Sequence, residues 1–227
     1  MSQLSIAQIL GQSTEHVRAC PPWPVLLNKD TARALLALRK RALKDGIDLW
    51  PVSGFRSYAT QVAIWSQKWQ GKRPLYDRNQ RRVDPKRLTA QQRLAAILAW
   101  SAPPGASRHH WGSDVDVVDL AVVKQGYQPK LVPAEYEGSG PMAALGQWLT
   151  AQLKASEFYR PYTHDRGGVQ PEPWHLSFQP VATQCSKRLR ERHLVAALAA
   201  LDEPWAKLLM TQMPTIYRQY VRSVDKP

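Results

Sequence analysis

The chain has 227 residues, of which 44% are apolar and only two are cysteines, and its formal net charge is +13. This apolar content is that of a globular domain, and two cysteines exclude a disulfide framework or a cysteine-rich zinc ribbon. No run of about 18 apolar residues is present that could form a transmembrane helix. The positive charge indicates an anionic partner, for which nucleic acid, an anionic cell-wall polymer and anionic lipid are candidates.

The first twenty residues lack a basic start, a long apolar run and a small-residue cleavage site, which together mark a secretory signal. The sequence therefore predicts a cytoplasmic protein, or one that is exported by another route. The basic residues are densest at 39–44, 72–87 and 187–192. A solvated helix face explains the first and third of these stretches at least as well as a binding surface does.

The first elements alternate between helix and strand. Asn28 can cap a helix that continues to about Asp45, because apolar residues recur at helical spacing between them. The stretch 47–52, IDLWPV, is typical of a short strand, and it leads into the loop SGFRS at 53–57. Helical spacing returns from Tyr58 to Trp69, so the predicted order is strand, loop and helix.

The stretch 71–88 is charged, contains two prolines and has no apolar period, which predicts a long loop that leaves the core. We expect this loop to cover a cleft. Thr89 and Gln92 match a capping box, and they predict a helix that ends near Trp100, before two consecutive prolines.

The alternating sequence SDVDVVDLAVV at 113–123 predicts a strand with Asp114 and Asp116 on the same face. A helix is predicted at about 141–156, followed by an irregular segment and a short strand, WHLSF, at 174–178.

Beyond residue 180 the chain is predicted to be helical, and there is no internal repeat. We therefore expect an α+β fold, with a small, mainly antiparallel sheet and helices at both ends of the chain. The predicted organisation is a single domain over 1–227, with a core at about 28–180. The rest of this domain is predicted to include a helical C-terminal extension over about 181–227.

Two clusters in the second half of the chain contain residue types that bind zinc and activate water. His109 precedes Gly112 and Asp116 follows it on the predicted strand, so loop and strand can bring both side chains together. A catalytic zinc site has three protein ligands and one open position. Glu172 precedes His175 by three residues, a spacing that lets the carboxylate face the open position as a base. Either spacing alone is weakly specific.

Three segments, in order along the chain, resemble the motifs of one peptidase family. They are SGFRSYATQ at 53–61, SRHHWGSDVD at 107–116 and EPWH at 172–175. On these motifs the chain resembles the VanY-type D-alanyl-D-alanine carboxypeptidases. These belong to one zinc peptidase superfamily with VanX-like dipeptidases and penicillin-insensitive murein endopeptidases.

The resemblance implies one zinc ion per chain, with His109, Asp116 and His175 as its ligands. It also implies that Glu172 is the general base. The neighbouring His110 could be mistaken for the first ligand, but the distance of His109 from the motif glycine favours His109.

The resemblance further implies that Arg56 faces the substrate carbonyl and the oxyanion that develops from it. Fixed positive charge at such a position is worth about 3 kcal/mol or more. The family often contacts the substrate peptide at the positions of Ser53, Gln61 and Ser107. The chain departs from the family pattern at Asp114, where alanine is usual, and this carboxylate can orient a ligand histidine or change the substrate preference.

The implied function is hydrolysis of the terminal D-Ala-D-Ala bond of peptidoglycan stem peptides or their precursors. L,D-carboxypeptidase or D,D-endopeptidase action on the same polymer is an alternative. An alternative of another class is a non-catalytic basic module that binds nucleic acid or an anionic wall polymer. No recognised nucleic-acid-binding motif is present, and every catalytic position of the family is filled, so we expect no specific nucleic-acid partner.

Overall fold

The computed structural model describes residues 3–226. The helices are α1 (Ile6–Ile9), α2 (Lys29–Lys44), α3 (Tyr58–Trp69), α4 (Ala90–Leu98), α5 (Leu120–Lys124), α6 (Pro133–Tyr136), α7 (Ala143–Gln152), α8 (Gln179–Arg188), α9 (Glu191–Ala199), α10 (Pro204–Thr211) and α11 (Met213–Ile216). The strands are β1 (Arg18–Cys20), β2 (Trp23–Leu27), β3 (Leu49–Ser53), β4 (Leu75–Tyr76), β5 (Arg82–Val83), β6 (Asp114–Asp119), β7 (Phe158–Tyr159) and β8 (His175–Phe178). Short 3₁₀ turns lie at Pro85–Arg87, Arg108–Trp111 and Leu153–Ala155, and a π-helical turn lies at Tyr217–Arg222.

The main sheet has four strands in the order β3-β6-β8-β7, and every neighbouring pair is antiparallel. All six residues of β6 are buried, and β3 and β8 flank this strand. Its three aspartates therefore lie inside the protein, where each needs a partner. The predicted α+β fold, with a small antiparallel sheet among helices, is confirmed.

Side-chain caps determine where the helices beside the sheet begin. Asn28 caps α2 and Ser57 caps α3. Thr89 and Gln92 form the predicted capping box at the start of α4. Each cap satisfies a backbone N–H group that has no partner within its helix, so these starting points can be recognised in the sequence.

The segment 71–88, predicted as a loop, contains the hairpin of β4 and β5. Leu75 pairs with Val83 and Tyr76 with Arg82, and Leu75 is only 1% exposed. Two residues per strand are too few to produce an alternating pattern, so the sequence gives no sign of this hairpin.

The strand predicted over 113–123 ends at Asp119 instead. The Asp119 carboxylate accepts hydrogen bonds from Ala121 N at 3.0 Å and from Asp48 N at 3.1 Å. The first of these bonds caps α5, so local capping interrupts a sequence that alternates well enough to continue as strand.

One cluster of buried apolar residues extends from Leu4 to Ile216 and includes both the sheet and the C-terminal helices. Trp205 of α10, for example, is fully buried, and its ring lies 5.3 Å from that of Trp65 on α3. The C-terminal helices thus contribute to the core. Within residues 3–226, no helix has both the length and the hydrophobicity needed to cross a bilayer.

Candidate metal centre

Three buried side chains meet beside the two central strands of the main sheet, β6 and β8. His109 lies on the 3₁₀ turn that precedes β6, Asp116 lies on β6, and His175 begins β8. Asp116 and His175 are direct partners in the β6–β8 register, so strand pairing alone brings these two residues side by side. Their potential ligand atoms and that of His109 all lie within 4.8 Å of one another.

Gly112 turns the chain between the 3₁₀ turn and β6. Its φ is +66°, and a Cβ atom there would lie 2.4 Å from Val17 Cγ1 and 3.0 Å from Asn28 N. Both the backbone conformation and the lack of space require glycine at this position. This turn is what directs His109 back towards Asp116.

The spacing of the three side chains fits a metal ion such as zinc. His109 Nε2 lies 3.4 Å from Asp116 Oδ2, and His175 Nδ1 lies 3.5 Å from Asp116 Oδ1. Two ligand atoms at about 2.0–2.1 Å from a tetrahedral zinc ion are separated by roughly 3.3 Å. Asp116 Oδ1 is also buried and has no hydrogen-bond partner among the described residues. Because buried polar atoms normally have a partner, this oxygen is available to bind a metal ion.

The opposite nitrogen of each imidazole donates to an oxygen atom of the protein. His109 Nδ1 donates to the carbonyl oxygen of Gly54 at 2.9 Å, and His175 Nε2 donates to Asp114 Oδ1 at 3.0 Å. These bonds fix each ring and leave His109 Nε2 and His175 Nδ1 directed at the metal position.

Asp114, the residue that departs from the family pattern, is fully buried beside Arg108. Arg108 Nε donates to Asp114 Oδ1 at 2.8 Å, and its Nη2 donates to Ser177 Oγ at 2.6 Å and to the Tyr159 hydroxyl at 2.7 Å. Burial alone would raise the pKa of Asp114, but the Arg108 charge and the hydrogen bond from His175 hold it well below its ordinary value. Asp114 is therefore an anion behind His175.

Three carboxylates surround His175, those of Asp114, Asp116 and Glu172. Burial would lower the pKa of His175, but hydrogen bonds to Asp114 and Glu172 outweigh it and raise the pKa to about 10. Similarly, burial opposes ionisation of Asp116, yet its interaction with His109 lowers the Asp116 pKa to about 2. The site is thus rich in negative charge and suited to a cation.

Glu172, the predicted base, lies on the open side of the three side chains. Its Oε2 is 3.0 Å from His175 Nδ1, the nitrogen that faces the metal position. Two backbone bonds hold the residue: Glu172 N donates to Tyr162 O at 2.8 Å, and His175 N donates to Glu172 O at 3.1 Å. The Glu172 carboxylate can therefore reach a group bound at the metal position without being a fourth ligand.

Arg56 lies on the loop after β3, and the turn that contains His109 holds this loop in place. Arg56 N donates to His109 O at 3.1 Å, and His110 Nδ1 donates to Arg56 O at 2.6 Å. His110 Nε2 accepts from Gly105 N at 3.1 Å, and burial lowers its pKa to about 3. With both of its nitrogens bonded to the backbone, His110 joins the two loops and is not a ligand candidate.

Two of the three residues predicted to contact substrate instead contact Arg56. Gln61 Oε1 accepts from Arg56 Nη1 at 3.1 Å, and Ser53 Oγ lies 3.5 Å from Arg56 Nη2. Gln61 is fully buried and does not line the cavity at the site. Ser107 does line this cavity.

The three side chains and Glu172 open into a cavity of about 500 Å³. Its wall includes Arg56 and Trp174, and the hairpin of β4 and β5 contributes Tyr76 and Gln80. Part of the excursion at 71–88 thus borders the cavity, and that it covers the cleft stays a prediction. Tyr162 and Ser101 also line the cavity, although neither lies in one of the sequence motifs. The ring of Tyr162 packs edge-on against that of His175, with 5.1 Å between the ring centroids.

The irregular segment 161–170, which leads to Glu172, is held by the C-terminal residues. Asp225 N donates to Pro161 O at 2.9 Å, and the Asp225 carboxylate accepts from Thr163 N at 2.8 Å and from Arg166 Nε at 2.8 Å. The C-terminal residues therefore brace the segment that precedes the predicted base.

The model of the family VanY, described as D-alanyl-D-alanine carboxypeptidase, matches residues 24–181. The chain belongs to this family. The predicted family and the predicted class of enzyme, a zinc metallopeptidase, are thereby confirmed. Among similar proteins, an uncharacterized protein of Haemophilus influenzae is 31% identical over 118 residues, which are 51% of this chain and 90% of the relative. A second from the same organism is 33% identical over 103 residues, 44% of this chain and 70% of the relative.

Solved structures of VanY-type enzymes share the fold. VanYB in complex with D-alanine-D-alanine has a TM-score of 0.53 at 22% identity, and the superposition covers 83% of this chain and 91% of the VanYB chain. A vancomycin resistance D,D-pentapeptidase VanY in complex with Zn(II) has a TM-score of 0.51 at 22% identity. The superposition covers 76% of this chain and 85% of the VanY chain. The LD-carboxypeptidase LdcB has a TM-score of 0.51 at 19% identity. The superposition covers 91% of this chain and 78% of the LdcB chain.

Proposed function

We propose that the protein is a zinc-dependent carboxypeptidase that hydrolyses the terminal D-Ala-D-Ala bond of peptidoglycan stem peptides or their precursors. The observation that carries the proposal is the meeting of His109, Asp116 and His175 beside Glu172 in one cavity, in a chain of the VanY family. The single domain predicted over 1–227 belongs to this proposal, and the shared core of sheet and C-terminal helices supports it.

His109 Nε2, His175 Nδ1 and an Asp116 oxygen are the proposed zinc ligands. Zinc bound there would polarise the scissile carbonyl and lower the pKa of a water molecule from near 16 to about 7. The hydrogen bonds from His109 to Gly54 and from His175 to Asp114 keep the ligand nitrogens in the correct tautomer and orientation.

Glu172 is the proposed general base. Its position 3.0 Å from a proposed ligand nitrogen brings its carboxylate within reach of an attacking water. After accepting the proton from that water, Glu172 is placed to deliver it to the amine of the departing D-alanine. One residue thus acts in both halves of the reaction.

Arg56 is proposed to stabilise the negative charge that develops on the carbonyl oxygen. Gln61 and Ser53 hold its guanidinium from behind, so little reorganisation is required as the charge forms. We propose that these two residues act through Arg56, whereas Ser107 keeps its predicted role as a direct substrate contact on the cavity wall.

The test is zinc content together with D-alanine release from a pentapeptide ending in D-Ala-D-Ala, with and without a chelator. About one zinc per chain and release that the chelator abolishes is the expected result. Zinc without release would refute the D,D-carboxypeptidase proposal and favour L,D-linked or cross-linked substrates. Absence of zinc would refute the metal site and favour a non-catalytic basic module.

A further inference from the structure

One face of α3 packs against the chain segment at 101–102, which forms part of the cavity wall. Gln61 Nε2 and Trp65 Nε1 both donate to Ala102 O at 2.8 Å. One turn further along the same face, Lys68 Nζ donates to Ser101 Oγ at 2.6 Å. The Lys68 ammonium thus lies directly behind a serine that lines the cavity.

Among the described residues, Lys68 forms no ion pair with a carboxylate. Within residues 3–226, none of the ion pairs closer than 4.0 Å includes it. Burial, and then repulsion from Arg56, lower the pKa of Lys68 to about 8, and Glu172 opposes this only in part. A half-buried ammonium without a paired counter-ion is costly, and an anionic ligand would offset part of this cost.

The Ser101 hydroxyl has a proton available to donate in a hydrogen bond. A hydroxyl has one proton and two acceptor positions, and the Lys68 ammonium occupies one of the acceptor positions. The Ser101 proton is therefore free to point into the cavity, where the adjacent positive charge strengthens it as a donor. Arg56 adds a second positive charge to the same cavity.

We propose that Ser101 binds a carboxylate of the peptide substrate, with Lys68 behind it as the positioning residue that supplies the positive charge. This inference rests on the proposed function and deepens it, because it assigns the feature by which a carboxypeptidase recognises a free acid. Two carboxylates of a stem peptide fit this chemistry, the terminal one and the one carried by its internal D-glutamate residue.

The experiment measures binding rather than turnover. Zinc-loaded Glu172→Gln protein is titrated calorimetrically with the pentapeptide acid, with its C-terminal amide and with the form amidated at the internal carboxylate. The same titrations are repeated on three double variants, in which Lys68→Met, Lys68→Arg or Ser101→Ala is combined with Glu172→Gln. Lys72→Met, which removes an exposed charge four residues from Lys68, is the matched control.

We expect Lys68→Met to weaken binding of the pentapeptide acid about ten- to hundredfold, the loss typical of a hydrogen bond to a charged group. One of the two amides lacks the carboxylate that Ser101 and Lys68 recognise. This amide should bind equally to the proteins with and without Lys68→Met, and the result identifies the recognised carboxylate. Ser101→Ala should show the same pattern and Lys68→Arg should restore binding, whereas Lys72→Met should have no effect.

Two outcomes would overturn the proposal. If Lys68→Met and Ser101→Ala change the binding of the acid and of both amides equally or not at all, the pair is structural and recognises no carboxylate, while the proposed function stands. If the zinc-loaded Glu172→Gln protein binds none of the three peptides, the proposed substrate is wrong and the inference fails with it.

Discussion

Asp114 accepts a hydrogen bond from His175 on the side of the imidazole opposite the nitrogen that faces the metal position. The same carboxylate is paired with Arg108, which is itself buried and bonded to Ser177. The family pattern usually has alanine at this position, so the chain has added a charged connection between one proposed ligand and the interior of the sheet.

Asp114→Asn should lower zinc affinity about ten- to hundredfold, because His175 loses the anion that orients it and raises its basicity. A competition titration against a chromophoric chelator would measure this. Asp48→Asn is the control, since it also removes a carboxylate paired with an arginine, Arg39, but lies outside the site. Unchanged zinc affinity in Asp114→Asn would show that Asp114 serves only the fold.

The same substitution should lower the free energy of unfolding by about 3–5 kcal/mol, because Arg108 is left as an unpaired buried charge. Denaturant unfolding of the metal-free protein would measure this loss separately from zinc binding. A loss below about 1 kcal/mol would mean that Arg108 finds another partner.

Glu172→Gln should retain about one zinc per chain and lose D-alanine release by about a hundred- to ten-thousandfold, because the acceptor of the water proton is gone. Metal analysis and a D-alanine assay on the same sample would check both points. Loss of zinc in this variant would contradict the assignment of Glu172 as base and make it a ligand. His175→Ala, in contrast, should lose the zinc itself.

Arg56→Ala should lower kcat about a hundred- to a thousandfold, the usual effect of removing a group that stabilises the oxyanion. Gln61→Leu should cause a smaller fall, because Arg56 keeps its charge but loses the partner of its Nη1. Arg33→Ala, at an exposed arginine of α2, is the control. If Arg56→Ala raises KM and leaves kcat unchanged, Arg56 binds the substrate without stabilising the oxyanion.

Binding of the pentapeptide acid to the Glu172→Gln protein should weaken as the pH rises, with a midpoint below about 8. Burial lowers the pKa of Lys68 to about 8 while Glu172 is present, and the ammonium is charged below its pKa and neutral above it. The cations Arg56 and Arg73 favour loss of the Lys68 proton, whereas Glu172 opposes it and its replacement lowers the pKa further. Lys68→Arg should move the alkaline decline to higher pH, and a decline that stays in place would exclude Lys68 as its cause.

Asp225→Ala should lower kcat with zinc content unchanged, because the carboxylate that holds segment 161–170 is lost while the ligands are untouched. Steady-state kinetics and metal analysis would measure the two effects. Asp202→Ala, at an exposed aspartate also in the C-terminal region, is the control. Full activity of Asp225→Ala would show that the segment keeps its shape without the chain end.

The sequence predicts the elements that local chemistry specifies, and it misses those that depend on distant contacts. The caps at Asn28, Ser57 and Thr89 lie within a few residues of the groups they satisfy, so α2, α3 and α4 have signals within the chain. The two-residue strand β7 exists only because β8 pairs with it, and no local pattern marks it.

The candidate site shows the same division. The residues that converge on the metal position could be found because three motifs occur in order along the chain and together resemble one family. Lys68 and Ser101 are 33 residues apart in sequence, and only the packing of α3 against the cavity wall joins them. Likewise, Arg56 was predicted, but its support by Gln61 depends on side-chain directions that the sequence does not reveal.

Asp116 and His175 are opposite each other in the β6–β8 ladder, so a metal ion held by both would link two neighbouring strands across their pairing. Local opening of that ladder would require release of the ion, and a bound ligand adds its own binding free energy to the cost of opening. The backbone amides of β6 and β8 should therefore exchange with deuterium more slowly in the zinc-loaded protein. Hydrogen exchange along these strands would report metal loading even where no substrate is turned over.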